Sequence, residues 1–232
     1  MRISVIIILV SICFSSQGQK LSAGLEVGYG FYKMSSLRQK EAVVEGNIIP
    51  YKQLQNFPAT PFVRGFARVQ IQTIFSTGIM LGYLSTGGRS AYNDYSGSAY
   101  RDVVVNGFQV GSSNLFQVHS MGNYLVSARL NIGAIFNSTK FQHSISLYDP
   151  VYIEDRSSTF TSINPYFSFG ADIRRKLGRF TLTFFAEYEL NGLGDTKLKS
   201  SNLSTPPVTD FDVDWSGARV GVSCAFQFFK EP

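Results

Sequence analysis

Two histidines, each followed by a serine (His119-Ser120 and His143-Ser144), are the residues through which this chain could do nucleophilic chemistry. A serine nucleophile needs an imidazole within hydrogen-bond reach and a third group to orient it. Neighbours in an extended strand point to opposite faces, so His143 and Ser144 cannot pair directly. His119 has Asp94 and Asp102 upstream in the same polar stretch, and a hydrolase or acyltransferase is the enzymatic alternative that this set allows. No grouping of His, Cys and carboxylates has metal-ligand spacing. The expectation is therefore no catalytic, cofactor-binding or metal site, and no cofactor.

A second set of ionisable residues has a different logic. In RFTLTFFAEYEL (179–190) every second residue is apolar, and Glu187 and Glu189 share the opposite face with Thr181, Thr183 and Phe185. Period two describes a strand with one greasy and one largely polar face. The same alternation places Glu26, Arg64, Arg68, Arg129, Asp172 and Arg219 on the polar faces of other segments. Whether these eight charges meet solvent or one another depends on which face is outside.

Eight segments carry the pattern: 21–31, 62–72, 75–84, 124–136, 141–148, 163–173, 179–190 and 215–229. The predicted connections alternate in length. Short ones fall at Thr73-Ile74, Asn137 to Lys140 and 176–179. Long ones fall at about 34–61, 87–120 and 191–213, with an intermediate one around Pro150 to Ser158. Asn106-Gly107 between apolar residues is a hairpin signal, assigned here to a small hairpin inside the 87–120 loop. Read as a turn of the main meander it would make ten strands. Short turns alternating with long loops in an even-stranded meander are the signature of an outer-membrane barrel. The expected fold is thus all-β: an antiparallel up-and-down transmembrane β-barrel of eight strands, ten being the runner-up.

Lysine placement separates this fold from a soluble barrel. All nine lysines fall at predicted strand ends, turns, loops or tails, whereas a water-facing sheet carries Lys along its strands. Lys or Arg at the midplane of a lipid-facing surface costs about 2–4 kcal/mol. Aromatics gather near the ends of the apolar faces (Tyr29, Phe31, Tyr83, Tyr124, Phe136, Phe141, Phe180, Phe228), where interfacial girdles belong. The greasy face is therefore expected to face lipid and the charges to face the lumen. An eight-stranded barrel is just wide enough for side chains to fill, so Glu26, Arg64, Arg68, Arg129, Asp172, Glu187, Glu189 and Arg219 are expected to form a lumenal charge network. In this frame His119 lies near the outer rim and His143 near the periplasmic interface.

The N-terminus reads as an export signal over 1–18: Met1-Arg2, an apolar run from Ile3 to Phe14, then small residues before Gln19. The barrel domain is then 19–232, with Cys13 removed and Cys224 alone, so no disulfide within the chain is expected. Loss of Arg2 leaves 20 basic against 16 acidic residues, a net charge of +4. No Lys/Arg run accompanies it, which argues against nucleic acid as a partner.

The "RRKLGRF" turn with its amphipathic strand, and the closing "ARVGVSCAFQFF", resemble the small outer-membrane barrels of Bacteroidota, similar in architecture to the outer membrane protein A transmembrane domain. The resemblance is one of pattern over the whole mature chain. It implies a Gram-negative cell outer membrane and insertion by the outer-membrane assembly machinery, which reads a last strand ending in an aromatic such as Phe228-Phe229. Lys230-Glu231-Pro232 depart from that ending. The expected partners are outer-membrane lipid and lipopolysaccharide, with a protein or glycan partner for the loops, among them GGRSAYNDYSGSAYRD (87–102). A structural or surface-interaction role follows, with a small porin-like channel as the transport alternative.

Overall fold

Alternation of period two is realised as long antiparallel strands. The computed structural model describes residues 20–37, 57–148, 151–192, 194–202 and 211–228. The expected leader, and most of the 34–61 connection, lie outside them. The strands are β1 (Lys20–Tyr32), β2 (Thr60–Gln72), β3 (Phe75–Asp94), β4 (Gly97–Met121), β5 (Tyr124–Tyr148), β6 (Val151–Leu177), β7 (Phe180–Asn191), β8 (Lys197–Ser201) and β9 (Gly217–Gln227). β1 pairs with both β2 and β9, and β9 pairs with β7, so eight strands close into a ring. The short β8 lies outside the ring, paired to β6 at 158–161. This is an antiparallel up-and-down transmembrane barrel. Closure removes the unpaired edges that lipid would not tolerate.

One end of the barrel has three two-residue turns, at Thr73-Ile74, Gly122-Asn123 and Gly178-Arg179. Gly122 and Gly178 have φ of 58° and 64°. A positive φ at the first central position is the mark of a type II′ hairpin turn, which glycine adopts without steric cost. The opposite end carries the long connections.

The outer surface carries an apolar belt. Its upper limit is set in register: Tyr83 pairs with Phe108, Phe108 with Phe136, and Phe136 with Ile163. Its lower limit runs through Phe75, stacked on Phe116 at 4.8 Å, with Tyr124, Ile173 and Phe180 close by. From Ile163 to Ile173 the strand covers about 33 Å, or about 25 Å of height once tilted, matching the lipid-facing band of such barrels.

Above the belt the faces exchange character. Outward positions become Ser85, Asn106, Ser138, Lys140, Gln142, Thr159 and Thr161, whereas Leu84, Val103, Val105, Phe141 and Phe160 turn inward. The upper parts of β3–β6 therefore form a sheet with a polar outer face and an inner face on which these apolar side chains alternate with buried Thr86, Thr139, Ser158 and Ser162. At the tip of its β3–β4 hairpin the Asp94 carboxylate accepts from Ser96 Oγ at 2.7 Å, Ser96 N at 2.8 Å and Tyr92 Oη at 2.9 Å. The Ser96 bonds hold the carboxyl below its usual range.

This exchange corrects several expectations. Residues 87–120 are not a loop but the top of β3 and nearly all of β4, and Asn106-Gly107 lies within β4. Asn137 to Lys140 is not a turn. It lies inside β5, which unites the expected 124–136 and 141–148 strands, and Lys140 is therefore on the outer face of a strand interior. Residues 151–158, expected in a connection, begin β6. The total of eight wall strands holds because one strand was missed and another split.

The belt boundary has a direct test. Ile79 is 65% exposed midway between Phe75 and Tyr83, and Ile79→Lys is expected to destabilise the barrel in vesicles by about 2–4 kcal/mol. Gln142→Lys, also outward but above the belt, should change stability by no more than about 0.5 kcal/mol. Equal effects in urea titrations would refute the boundary.

Candidate functional site

The charged residues of the polar faces meet inside the ring. Glu26 (β1) accepts from Arg129 Nη1 at 2.8 Å and from Arg68 Nη2 at 3.0 Å. Arg64 Nε also lies 3.2 Å from Glu26, an ion pair without hydrogen-bond alignment. Glu187 (β7) takes Arg64 Nη1 at 2.6 Å and Asn131 Nδ2 at 3.2 Å, with Arg219 at 3.9 Å. Asp172 (β6) accepts from Arg129 Nε at 2.8 Å and Nη2 at 3.2 Å. Glu189 (β7) takes Arg219 Nη2 at 2.6 Å and Gln109 Nε2 at 2.9 Å.

All eight charges named from the sequence are buried and joined here, four arginines against four carboxylates. Neutrality matters because a buried charge without a partner is expensive, and attraction in a low dielectric repays its desolvation only when geometry is good. Aromatic rings complete the packing. The Arg68 guanidinium lies 3.7 Å from the Phe66 centroid, Arg129 4.3 Å from Phe185, and Arg64 4.6 Å from Phe62. The layer needs a gap on β3: a Cβ on Gly82 would lie 2.7 Å from Arg64 Cγ.

Above this ionic layer the lumen is filled by apolar side chains. Met34, Leu37, Phe57, Phe211, Val213 and Trp215, from the connections, pack against Val103, Val105, Ile135 and Phe160. Phe141, Phe160 and Phe211 meet edge to face, with centroids 5.0–5.7 Å apart. Trp215 joins the two layers: its Nε1 donates to Asn137 Oδ1 at 2.7 Å, and Tyr32 meets its ring edge-on at 4.8 Å. Asn137 in turn donates to Asn164 Oδ1 at 2.9 Å and Ser162 Oγ at 3.1 Å. A salt-bridge layer and a largely apolar layer thus lie in series along the lumen.

The histidines are positioned otherwise than expected. His119 lies near the short-turn end of β4, beside a register shift between Gln117 and His119, not at the outer rim. Asp102 is on the same strand toward its far end, roughly 55 Å away at about 3.3 Å per residue. Its carboxylate is held by Arg89 Nε and Nη2, each at 2.6 Å, and Asp94 belongs to the hairpin tip. No nucleophile–base–acid set is assembled from these residues. His143 is in the water-facing part of β5, paired in register with Arg101 and Arg156; the expectation of a periplasmic, lipid-facing position fails because β5 continues through 137–140. Among the described residues no three His, Cys, Asp or Glu side chains gather as metal ligands.

Gln109 and Ser113, which bind Glu189 and Arg68, carry no signal in the sequence, because β4 lacks a sustained apolar face. Nor does the sequence mark the contacts of Trp215, Asn137 and Asn164. Phe66 and Phe185 did leave a signal, as aromatics on otherwise polar faces.

The chain matches no family model and no curated protein by sequence. Among solved structures it is similar to Ail, the attachment invasion locus protein of Yersinia pestis, at 16% identity over 90% of this chain and 97% of that one, with a TM-score of 0.36. It is similar to a major outer membrane protein from Thermus thermophilus at 12% identity over 91% and 100%, with a TM-score of 0.46. CarO2 of Acinetobacter baumannii shares 10% identity over 90% and 98%, with a TM-score of 0.41.

Proposed function

We propose that the chain is an integral protein of the cell outer membrane with a side-chain-filled lumen, serving a structural or surface-interaction role. Its short turns face the periplasm and its raised sheet faces outward. The observation that supports this reading is the pairing of a lipid-height apolar belt with a fully neutralised ionic layer inside. Exported synthesis with a leader over 1–18, and insertion by the outer-membrane assembly machinery, belong to the same reading, as does kinship with the Bacteroidota barrels whose motifs the chain resembles. The raised sheet, with Tyr95 at its tip 96% exposed, is the surface through which a protein or glycan partner would be met.

The filled lumen argues against the solute-channel alternative, since open barrels need about 16 strands. The separation of His119 from Asp94 and Asp102 argues against a hydrolase or acyltransferase built on them. In planar bilayers the refolded protein is expected to give no steady conductance, while its unboiled form migrates faster than its boiled form on gels. Steady open-channel current from heat-modifiable protein would overturn the sealed-lumen role. Capture of envelope partners by the whole protein, lost on Tyr95→Ala, would identify the surface role.

A further inference from the structure

The four-to-four charge balance of the lumen leaves one arginine over. Arg174 shares the inward face of β6 with Asp172 but is one step nearer the short-turn end, where a cavity of about 90 Å³ opens to the periplasmic mouth. Four cationic side chains line it, Lys20, Arg68, Arg174 and Lys176, with the amides of Gln70 and Gln227 around them and, among the described residues, no carboxylate. Asp172 spends both oxygens on Arg129, and Arg68 is engaged by Glu26 and Ser113. Among the described residues Arg174 makes no ion pair. Its Nη2 donates to Ser127 Oγ at 2.5 Å, and its Nε is buried with no hydrogen-bond partner.

We infer that this mouth is a binding site for a small oxyanion of the phosphate class, admitted from the periplasm. Three features converge on that chemistry. A partly buried guanidinium without an ion pair gains most from an acceptor that carries negative charge. The cavity has room for a few water-sized groups, which suits a free ion better than a polymer. Low-dielectric walls lined by one sign of charge concentrate counter-ions of the other sign. The oxyanion would bind the Arg174 guanidinium from below, take further bonds from the Gln amides and the Thr181 and Thr183 hydroxyls of the same lining, and bring the lumen's charge to balance at its open end. The inference takes its periplasmic direction from the orientation proposed above. A conducting barrel that still bound phosphate would sink only the sealed-lumen reading.

The test is a titration of the refolded full chain in nonionic detergent, free of phospholipid, with inorganic phosphate against sodium chloride at constant ionic strength. Arginine Nε–Hε signals are followed by NMR. The Arg174 and Arg68 signals should shift and saturate together with a midpoint in the low-millimolar range or below, with Arg129 unmoved, and in Arg174→Gln the Arg68 signal should lose the saturable response. A linear drift, or the same saturation in Arg174→Gln, overturns the site. Should Arg174→Gln fail to fold, the rim variant Lys20→Gln/Lys176→Gln is expected to raise the midpoint at least threefold. An unchanged midpoint there also overturns it.

Discussion

Arg129→Met is expected to lower the unfolding free energy of the barrel by about 3–5 kcal/mol. Arg129 binds Glu26 and both oxygens of Asp172 and lies 3.7 Å from Glu187. Glu26 and Glu187 keep Arg64, but Asp172 loses its only salt-bridge partner among the described residues. The variant thus buries a carboxylate with nothing to neutralise it, which is costlier than losing a hydrogen bond. Phe185 also loses the guanidinium stacked 4.3 Å from its ring. Arg129→Lys should recover part of the loss, since one ammonium keeps the charge but cannot bridge carboxylates as a planar fork does. Urea titration of heat-modifiable mobility in vesicles measures the shift. A loss under about 1 kcal/mol would show that water already solvates this layer.

Trp215→Ala should cost about 3–5 kcal/mol by a separate mechanism, the cavity left when a large buried ring is removed. The side chain has no exposure and fills the junction between the ionic and apolar layers, with Tyr32 against its edge. Trp215→Phe, which keeps most of the volume but not the Nε1 bond to Asn137, should cost far less, on the order of 1 kcal/mol. Because the chain has one tryptophan, its fluorescence reports this junction alone. Emission from the folded barrel should be blue-shifted and shielded from iodide. Ready quenching without unfolding would mean that the apolar layer does not seal.

Much of the fold was legible because lipid and lumen impose opposite demands on alternate residues. In β1, β2, β7 and β9 the belt fills almost the whole strand, so one phase of alternation runs end to end and the strand limits lie within a few residues of those expected. β4 and β5 cross from lipid into water and reverse phase on the way. A rule that follows one apolar face reads the reversal as a break: at Asn137 it ends a strand, and at Asn106-Gly107 it sees a turn. Both positions are mid-strand residues at the surface of the membrane.

Within the belt strands β1, β2, β6, β7 and β9, and over 124–136 of β5, the chain by itself determined which residues point inward, since parity within a strand is a local property of the backbone. It thereby named every charge of the ionic layer. Neighbouring-strand pairs such as Arg68 with Glu26, and Arg219 with Glu189, followed from strand order. Only the closed ring decided the contacts that span the lumen: Arg64 with Glu187, Arg129 with Glu26, and Gln109 with Glu189. Those distances depend on the barrel's diameter and the relative heights of strands far apart in sequence. The same closure leaves Arg174 below the balanced layer, in the wall of the cavity at the short-turn end.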